Sequence, residues 1–360
     1  GLQPTFSTTF MLFSLSRAVR LQARGVISRF GTFATNISTM GDAAQSSSGT
    51  NIPTGAAAEV RGTPKPKPTP PPKREVKILM LHGKPFPLFS YCKDEMLTII
   101  YDKGYTQSGP LFRAKTRALE KLLVKLLSPA NIFPRLVYAT APNRLSAKDI
   151  PGFTPRSGEE EKEELEAWAW FRKDEATGRY RFVKEGMERV AEVISNPNGE
   201  FAVTGDGDPV PEGPFDGVVG FSQGGCAAGM VASVLEHISP DGKFRRAPEE
   251  HAEWAKKVRE ANGGTALKFA VIYSGFWAVP EDLGWLYEPK IRTPTMHFLG
   301  SLDTVVEHSR SEGLIERCEE PVVLTHPGGH YVPISKEWAV PLAGFIRKCV
   351  DGEGNGKASL

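Results

Sequence analysis

The sequence predicts an α/β fold with a mostly parallel central sheet that is covered by helices on both faces. Short apolar runs recur along the chain and are bounded by loops, as expected of buried strands. Stretches with helical periodicity lie between them, for example residues 111–127 and 224–237. Strands that alternate with helices favour a parallel sheet, and sites form in the loops at its carboxyl edge. The predicted strands are residues 76–81, 135–139, 217–220, 268–273, 295–299 and 322–324.

The composition is that of a globular protein without an obvious nucleic-acid or membrane partner. The chain has 360 residues, of which 40% are hydrophobic and 24% charged, and its net charge is +2. Nucleic-acid binding needs a clustered excess of basic residues, and a bilayer span needs an apolar run of about 18 residues. The four cysteines include no C-x-x-C pair. This pattern predicts reduced thiols in an intracellular protein, with no metal or other cofactor.

The first 75 residues differ in composition from the rest. Residues 1–41 contain arginine but no acidic residue, and the stretch from Met11 is typical of a mitochondrial transit peptide. Alternatively, translation starts at Met40 and the preceding residues are mistranslated leader. The first interpretation predicts a mitochondrial protein, and the second predicts the cytoplasm or nucleus. Residues 42–75 are rich in Pro, Ser and Gly and predict a disordered linker before the domain at 76–355, which residues 356–360 follow as a tail.

The strongest local motif is a G-x-S-x-G sequence, residues 220–224, between a predicted strand and a predicted helix. A sharp strand-to-helix turn exposes the hydroxyl of Ser222, and the flanking glycines let neighbouring backbones approach closely. The positive end of the helix points to where an oxyanion would form. Ser222 is therefore the candidate nucleophile, the alternative being a structural turn without catalysis. Cys226 is interpreted as a small buried helix residue rather than a second nucleophile.

A nucleophilic serine needs a base, and His330 is the candidate for that role. It lies in a Gly-rich loop directly after the last predicted strand. His326 is the local alternative, but its position at the strand end beside Pro327 leaves it less freedom to reach the serine. His297 lies inside a predicted strand and is interpreted as a core residue. His82 ends the first strand, where we expect its ring to shape the loop rather than to take the proton.

The base needs an acid to fix its tautomer, and in an α/β-hydrolase the order along the chain is serine, acid, histidine. Asp303 follows a predicted strand, where its carboxylate can accept from the imidazole. Glu307 and Asp282 are less well placed, and Asp216 precedes the nucleophile. The alternative role for Asp303 is to cap the next helix.

Several spaced segments together resemble one protein family. They are Leu81-His82-Gly83, residues 220–225, Tyr273-Ser274-Gly275-Phe276, Gly300-Ser301-Leu302-Asp303 and residues 326–333. This set resembles the FSH family of eukaryotic, largely fungal, serine hydrolases over about residues 76–350. The resemblance implies an α/β-hydrolase with little or no cap domain that acts on carboxylic esters. It also places the catalytic triad on Ser222, Asp303 and His330.

Two further expectations follow from the resemblance. Some relatives act as thioesterases that release acyl or polyketide chains from carrier proteins, which makes a carrier-bound acyl chain a candidate substrate. Some family members have been labelled dihydrofolate reductases. Because no G-x-G-x-x-G motif follows a predicted strand, the sequence predicts no nicotinamide cofactor.

The sequence departs from the family pattern after the first strand. In the family, Leu-His-Gly continues directly into a segment like residues 105–112, whereas residues 84–104 intervene here. This segment is unusually long for a strand-to-helix loop, and we interpret it as a retained intron in the gene model, the alternative being a lid. The oxyanion hole would use the backbone N–H of Gln223 and that of the residue after Leu-His-Gly. That residue is Tyr105 if the insert is absent and Lys84 if it is real.

Three other segments carry structural expectations. Residues 157–171 begin with a capping box and predict a helix, with Trp168, Trp170 and Phe171 as core or site-wall residues. Residues 196–214 predict a polar surface loop, and residues 243–264 predict a charged insertion that is helical in its middle.

These expectations combine into one predicted function. We expect a serine hydrolase that cleaves esters or thioesters through an acyl-serine intermediate and uses a small-molecule substrate. An acyltransferase is the alternative within enzymes, because an alcohol or amine can capture the acyl group instead of water. A non-catalytic ligand-binding protein on the same fold is the alternative outside enzymes.

Overall fold

The structure is a computed structural model that describes residues 73–83, 88–89, 99–100, 108–146, 149, 167–205 and 209–352. All of them belong to one unit of the chain, Pro68–Leu360. The predicted leader, residues 42–72 of the predicted linker, the capping box near Ser157 and the predicted tail at residues 356–360 lie outside the described residues. The last two residues predicted as linker, Arg74 and Glu75, instead begin the first strand, because they pair with Ile132 and Phe133. Within the segment 84–104, the structure describes Leu88–Phe89 paired antiparallel with Ile99–Ile100.

The described elements follow in chain order. The strands are β1 (Arg74–Leu81), β2 (Leu88–Phe89), β3 (Ile99–Ile100), β4 (Ile132–Ala139), β5 (Asn143–Arg144), β6 (Trp168–Ala169), β7 (Arg172–Lys173), β8 (Tyr180–Arg181), β9 (Ala202–Thr204), β10 (Gly217–Phe221), β11 (Phe269–Tyr273), β12 (Thr295–Gly300) and β13 (Val322–His326). The helices are α1 (Gly109–Leu127), α2 (Val183–Ser195), α3 (Gln223–Leu235), α4 (Glu249–Ala261), α5 (His308–Ile315) and α6 (Lys336–Asp351). Short 3₁₀ helices cover Ser128–Ala130 and Glu281–Tyr287.

The central sheet has the strand order β13-β12-β11-β10-β1-β4-β9. Every neighbouring pair is parallel except β4 and β9. The predicted, mostly parallel α/β-hydrolase sheet is therefore confirmed. The segment 196–214, predicted as a loop, also contains the short antiparallel edge strand β9. That strand is only three residues long and lies at the sheet edge, so its sequence lacks the apolar run that marks the inner strands.

The core lies on both faces of this sheet. Every residue of β10 and of β11 is buried, as expected for inner parallel strands covered on both sides. Successive residues point to opposite faces, so Val218 packs in the layer that contains α2, α3 and α4. Val219 packs in the layer that contains α1 and α6. All residues of α3 are buried, which places the start of this helix deep against the sheet.

The prediction of a helix over residues 157–171 is wrong for the C-terminal end of this segment. Trp168–Ala169 forms β6, which pairs antiparallel with β5. The Asn143 side-chain amide donates to the Ala169 carbonyl at 3.0 Å and to the Trp170 carbonyl at 3.3 Å, so the segment is held extended. Trp170 and Phe171 are 0% and 2% exposed, which confirms them as core residues.

The helix predictions are otherwise confirmed, with small shifts at the ends. The predicted helix 111–127 begins at Gly109, where Ser108 is the N-cap and its hydroxyl accepts from the Leu111 N–H at 3.4 Å. The middle of segment 243–264 forms α4, which packs on α2. Among the residues described, no helix combines the length and the apolar character that crossing a bilayer requires.

Candidate active site

Ser222 occupies the turn between β10 and α3 in a strained backbone conformation. Its φ is 55° and its ψ is −115°, a region that residues with a side chain rarely adopt. The turn is held by the Ser222 N–H, which donates to the Tyr273 carbonyl at 2.8 Å, and by the Ser222 carbonyl, which accepts from Gly225 at 2.9 Å. Such strain costs about 1–3 kcal/mol and persists only where the surrounding structure enforces it.

The glycines of the motif permit the close approach of α3 to the sheet. A Cβ on Gly220 would lie 2.0 Å from the Gly224 carbonyl oxygen. A Cβ on Gly224 would lie 2.1 Å from the Leu81 carbonyl oxygen. No side chain fits in either place, so the first turn of α3 lies directly against the end of β1.

Asp303 and His330 form a buried hydrogen-bonded pair. The distance from His330 Nδ1 to Asp303 Oδ2 is 2.8 Å. The side chain of Asp303 is 8% exposed and that of His330 is 3% exposed. Because an ionised carboxylate only accepts, this bond places a proton on Nδ1. In the neutral ring, Nε2 then carries no proton and can take one from a serine hydroxyl.

The surroundings of Asp303 keep its carboxyl ionised. Burial disfavours the charged form, but the hydrogen bond from His330, the charge of that ring and two backbone donors outweigh it and lower the pKa of Asp303 to about 2. The backbone donors are the N–H groups of Val305 and Val306, which reach Oδ1 at 2.9 and 3.0 Å. Asp303 therefore caps its own loop and orients the histidine at the same time.

The loop after β13 brings His330 to the strand that leads into Ser222. The centroid of its ring lies 4.7 Å from that of Phe221. The loop is anchored on the neighbouring strand end, where the Leu302 N–H donates to the Gly328 carbonyl at 3.0 Å. The structure thus gathers Ser222, Asp303 and His330 at the carboxyl edge of the sheet.

Two other histidines near this edge are enclosed. His326 is 1% exposed, its Nδ1 accepts from the Gly328 N–H at 3.2 Å, and burial lowers its pKa. Its ring packs against Tyr331 and Trp338, with centroids 4.9 and 5.9 Å away. His297 lies inside β12 and is 1% exposed, which confirms it as a core residue, and burial lowers its pKa to about 4.

The position of Ser222 suits the stabilisation of a negative charge. Its hydroxyl is buried, so the predicted exposure of this group is wrong, because Ser222 lies at the start of a helix packed entirely against the sheet. The hydroxyl has no hydrogen-bond partner among the described residues. Gln223 is the first residue of α3, so its N–H has no acceptor within the helix and adds to the positive end of the helix dipole. The two alternatives for the second oxyanion donor, Lys84 and Tyr105, lie outside the described residues.

The side chain of Gln223 has a role that the sequence did not indicate. Its Oε1 accepts from the Trp170 N–H at 2.9 Å, and its Nε2 donates to the Phe171 carbonyl at 2.8 Å. Only the fold brings these segments together, because they are more than 50 residues apart in the chain.

Among the described residues, Glu250, His251 and Asp282 form a group of metal-ligand type. The Trp254 indole donates to His251 Nδ1 at 3.1 Å, so a neutral ring carries its proton on Nε2. That nitrogen faces Asp282 at 3.3 Å. Ligation of a metal through Nε2 would need the proton on Nδ1, where the Trp254 indole already donates, so this group does not fit a metal site.

The cysteines that the structure describes are buried and free of disulfides. Cys226 is 0% exposed, and burial raises the pKa of its thiol, which suppresses the thiolate. Its interpretation as a packed helix residue is confirmed.

Comparison with known families identifies the class of protein. Residues 94–342 match the family described as Serine hydrolase (FSH1). The match covers well over half of the chain, and the chain belongs to this serine hydrolase family.

Similar proteins are found in fungi and in vertebrates. "Family of serine hydrolases 2" of Saccharomyces cerevisiae is 29% identical over 255 residues, which cover 68% of this chain and 92% of that protein. "Esterase OVCA2" of Danio rerio is 26% identical over 261 residues, which cover 70% of this chain and 97% of that protein. A Schizosaccharomyces pombe protein named "Dihydrofolate reductase" is 29% identical over 259 residues, or 69% of this chain. The chain spans about half of that relative, since the match covers 47% of its length.

Two solved plant structures are also similar. A crystal structure of a SOBER1 variant from Arabidopsis thaliana has a TM-score of 0.42 at 15% identity and covers 77% of this chain and 100% of that chain. Acyl-protein thioesterase 2 of Zea mays has a TM-score of 0.40 at 18% identity, and the match covers 77% of this chain and 96% of that chain. The fold assignment itself rests on the strand order and on the family match.

Proposed function

We propose that this serine hydrolase cleaves carboxylic esters or thioesters through an acyl-serine intermediate on Ser222. In this proposal, His330 is the general base and Asp303 orients and stabilises its ring. The observation that carries the proposal is the buried 2.8 Å bond between His330 Nδ1 and Asp303 Oδ2. It leaves Nε2 as the basic atom of a ring that lies beside the strained serine turn.

The proposed reaction proceeds in two displacements. Ser222 Oγ attacks the carbonyl carbon while its proton moves to His330 Nε2, and the Gln223 N–H donates to the oxyanion. When the tetrahedral intermediate collapses, the alcohol or thiol leaves and takes the proton from the imidazolium. The acyl group remains on Ser222. Water repeats the attack and releases the acid. Because the pKa of Asp303 is about 2, its carboxylate stays ionised and stabilises the imidazolium throughout.

The names of the relatives agree with this chemistry. The yeast and zebrafish proteins are named a serine hydrolase and an esterase, and they match this chain over nearly their whole length. A thioester, free or bound to a carrier protein, is the second substrate form, because the same acyl-serine serves both leaving groups.

The substitution Asp303→Asn tests the assigned roles in the full chain. It keeps the side-chain size but favours the wrong histidine tautomer, so we expect kcat for a p-nitrophenyl ester to fall about 10⁴-fold while KM changes little. Asp282→Asn is the matched control, since Asp282 also lies beside a histidine, His251, and it should retain full activity.

Retained activity in Asp303→Asn would contradict the proposal. Products formed with an added alcohol would reveal acyl transfer instead of hydrolysis. A wild-type protein that turns over no ester or thioester would favour the ligand-binding alternative.

A further inference from the structure

The residue Trp170 connects the two backbone segments that flank the proposed oxyanion hole. Its indole N–H donates to the His82 carbonyl at 2.9 Å, at the end of β1. Its backbone N–H donates to Gln223 Oε1 at 2.9 Å, at the start of α3. The side chain is 0% exposed, so neither bond is exchanged readily with water. One residue thus contacts both places from which oxyanion donors are expected.

At the end of β1, the ring of His82 determines the orientation of the Gly83 carbonyl. The Ala141 N–H donates to Nε2 at 3.1 Å, so the neutral ring carries its proton on Nδ1. Nδ1 lies 2.8 Å from the Gly83 carbonyl and donates to it. The ring of His82 therefore holds the Gly83 carbonyl in one direction.

The indole of Trp170 packs against the ring of His82 and also binds the His82 backbone. Its ring lies 5.4 Å from that of His82, and its hydrogen bond fixes the carbonyl of the peptide that joins His82 to Gly83. The peptide groups on both sides of Gly83 are therefore tied, one by the indole and one by the imidazole.

The second place is the first turn of α3, where Gln223 offers its own N–H. Both ends of its side-chain amide are bonded to the segment at Trp170 and Phe171. The backbone of the neighbouring Gly224 touches the end of β1, because a Cβ there would lie 2.5 Å from the His82 carbonyl oxygen. The distance between the end of β1 and the first turn of α3 is thus set by this bonded segment and by direct backbone contact.

We propose that Trp170 is a positioning residue of the oxyanion hole. It holds the backbone of His82 and Gly83, at the end of β1, at a fixed separation from the first turn of α3, where Gln223 offers its N–H. The inference rests on the proposed function, since it assigns the geometry of that same site. The position of these donors matters because a shift of about 1 Å in an active site lowers turnover about 100-fold. Packing alone would make Trp170 important for stability but not for transition-state binding.

The substitution Trp170→Phe in the full chain separates these roles. It keeps an aromatic ring in the core and removes the indole donor to His82. We expect kcat for ester hydrolysis to fall about 10- to 100-fold with KM within about threefold. The affinity for a trifluoromethyl ketone, which forms a tetrahedral adduct with the serine, should fall by the same factor because the adduct needs the same donors.

Trp254→Phe is the matched control. Trp254 is also 0% exposed, and its indole also donates to a buried partner, His251, at 3.1 Å. We expect a similar loss of thermal stability in this variant, with unchanged kcat and unchanged affinity for the ketone.

A second variant tests the other end of the connection. Gln223→Met keeps the backbone N–H but loses both side-chain hydrogen bonds, and it should also lower kcat and ketone affinity together. In the double variant Trp170→Phe/Gln223→Met, the combined loss should be smaller than the product of the single losses, since both act on one network. If Trp170→Phe does not fold, the kcat and the ketone affinity of Gln223→Met alone test the inference.

Wild-type kcat and ketone affinity in the folded variants would overturn the inference, as would equal effects in Trp254→Phe. These outcomes differ from a failure of the proposed function, in which Ser222→Ala would keep the activity of the wild-type chain.

Discussion

At the scale of single residues, burial and partners decide what each histidine can do. His330 is paired with a carboxylate and keeps Nε2 as a basic atom. His326 is enclosed between aromatic rings, and burial lowers its pKa. His297 lies within the core, where burial holds its pKa at about 4. Three rings at one edge of the sheet therefore differ in chemistry because their surroundings differ.

The low pKa of His297 predicts a pH dependence of stability. In the unfolded chain its pKa returns to about 6.5, so the unfolded state binds more protons between pH 6.5 and pH 4. The free energy of unfolding should therefore fall as the pH drops through this window, by roughly 3 kcal/mol from this residue. His297→Leu removes the titrating group and should remove this fall.

Urea unfolding of both proteins across this pH range measures the effect. The difference between the free energies of unfolding of the variant and the wild type should grow as the pH falls. A difference that stays constant would contradict the assignment.

At the scale of elements, a buried ion pair fastens the end of α3 to the chain before β12. Arg245 and Glu236 are bonded to each other, and their side chains are 1% and 3% exposed. Arg245 also donates to the Pro289 carbonyl, and Glu236 accepts from the Arg292 N–H at 2.8 Å. Almost every polar group of the pair is satisfied within the protein, which is the condition for burying two charges.

The substitution Arg245→Met should therefore destabilise the protein strongly. It leaves the carboxylate of Glu236 buried without its counter-charge, which costs about 3–5 kcal/mol in the free energy of unfolding. Adding Glu236→Gln should restore part of this loss. The control is Lys243→Met, because Lys243 is 75% exposed in its pair with Asp241 and should cost under about 1 kcal/mol. A loss in Arg245→Met as small as in the control, measured by urea unfolding, would contradict the account.

At the scale of the whole molecule, the sequence predicted the central sheet well, whereas the catalytic roles of Ser222, Asp303 and His330 stay predictions. Inner parallel strands are buried on both faces, so they leave continuous apolar runs such as residues 217–221 and 269–273. The serine turn follows one of these runs with a glycine pattern that only a close approach explains. Ser222, Asp303 and His330 each follow a predicted strand, so the sequence predicted all three at the carboxyl edge of the sheet.

The sequence did not predict features that depend on distant contacts. β9 is a three-residue edge strand without an apolar run. The capping box at Ser157 predicted a helix through Phe171, but Trp168 and Ala169 instead pair with β5. The connection through Trp170 joins residues 88 and 53 positions away, at His82 and Gln223, and no local pattern carries it. The retained-intron interpretation of residues 84–104 stays a prediction.

Covalent labelling tests most directly whether Ser222 is the nucleophile. A fluorophosphonate probe should label the full wild-type chain on the peptide that contains Ser222, and Ser222→Ala should abolish the label. Ser233→Ala is the matched control, because Ser233 is a buried serine of the helix that follows Ser222 and donates to the Leu286 carbonyl. This control should be labelled like the wild type. Labelling that persists in Ser222→Ala, or no labelling of the wild type, would contradict the account.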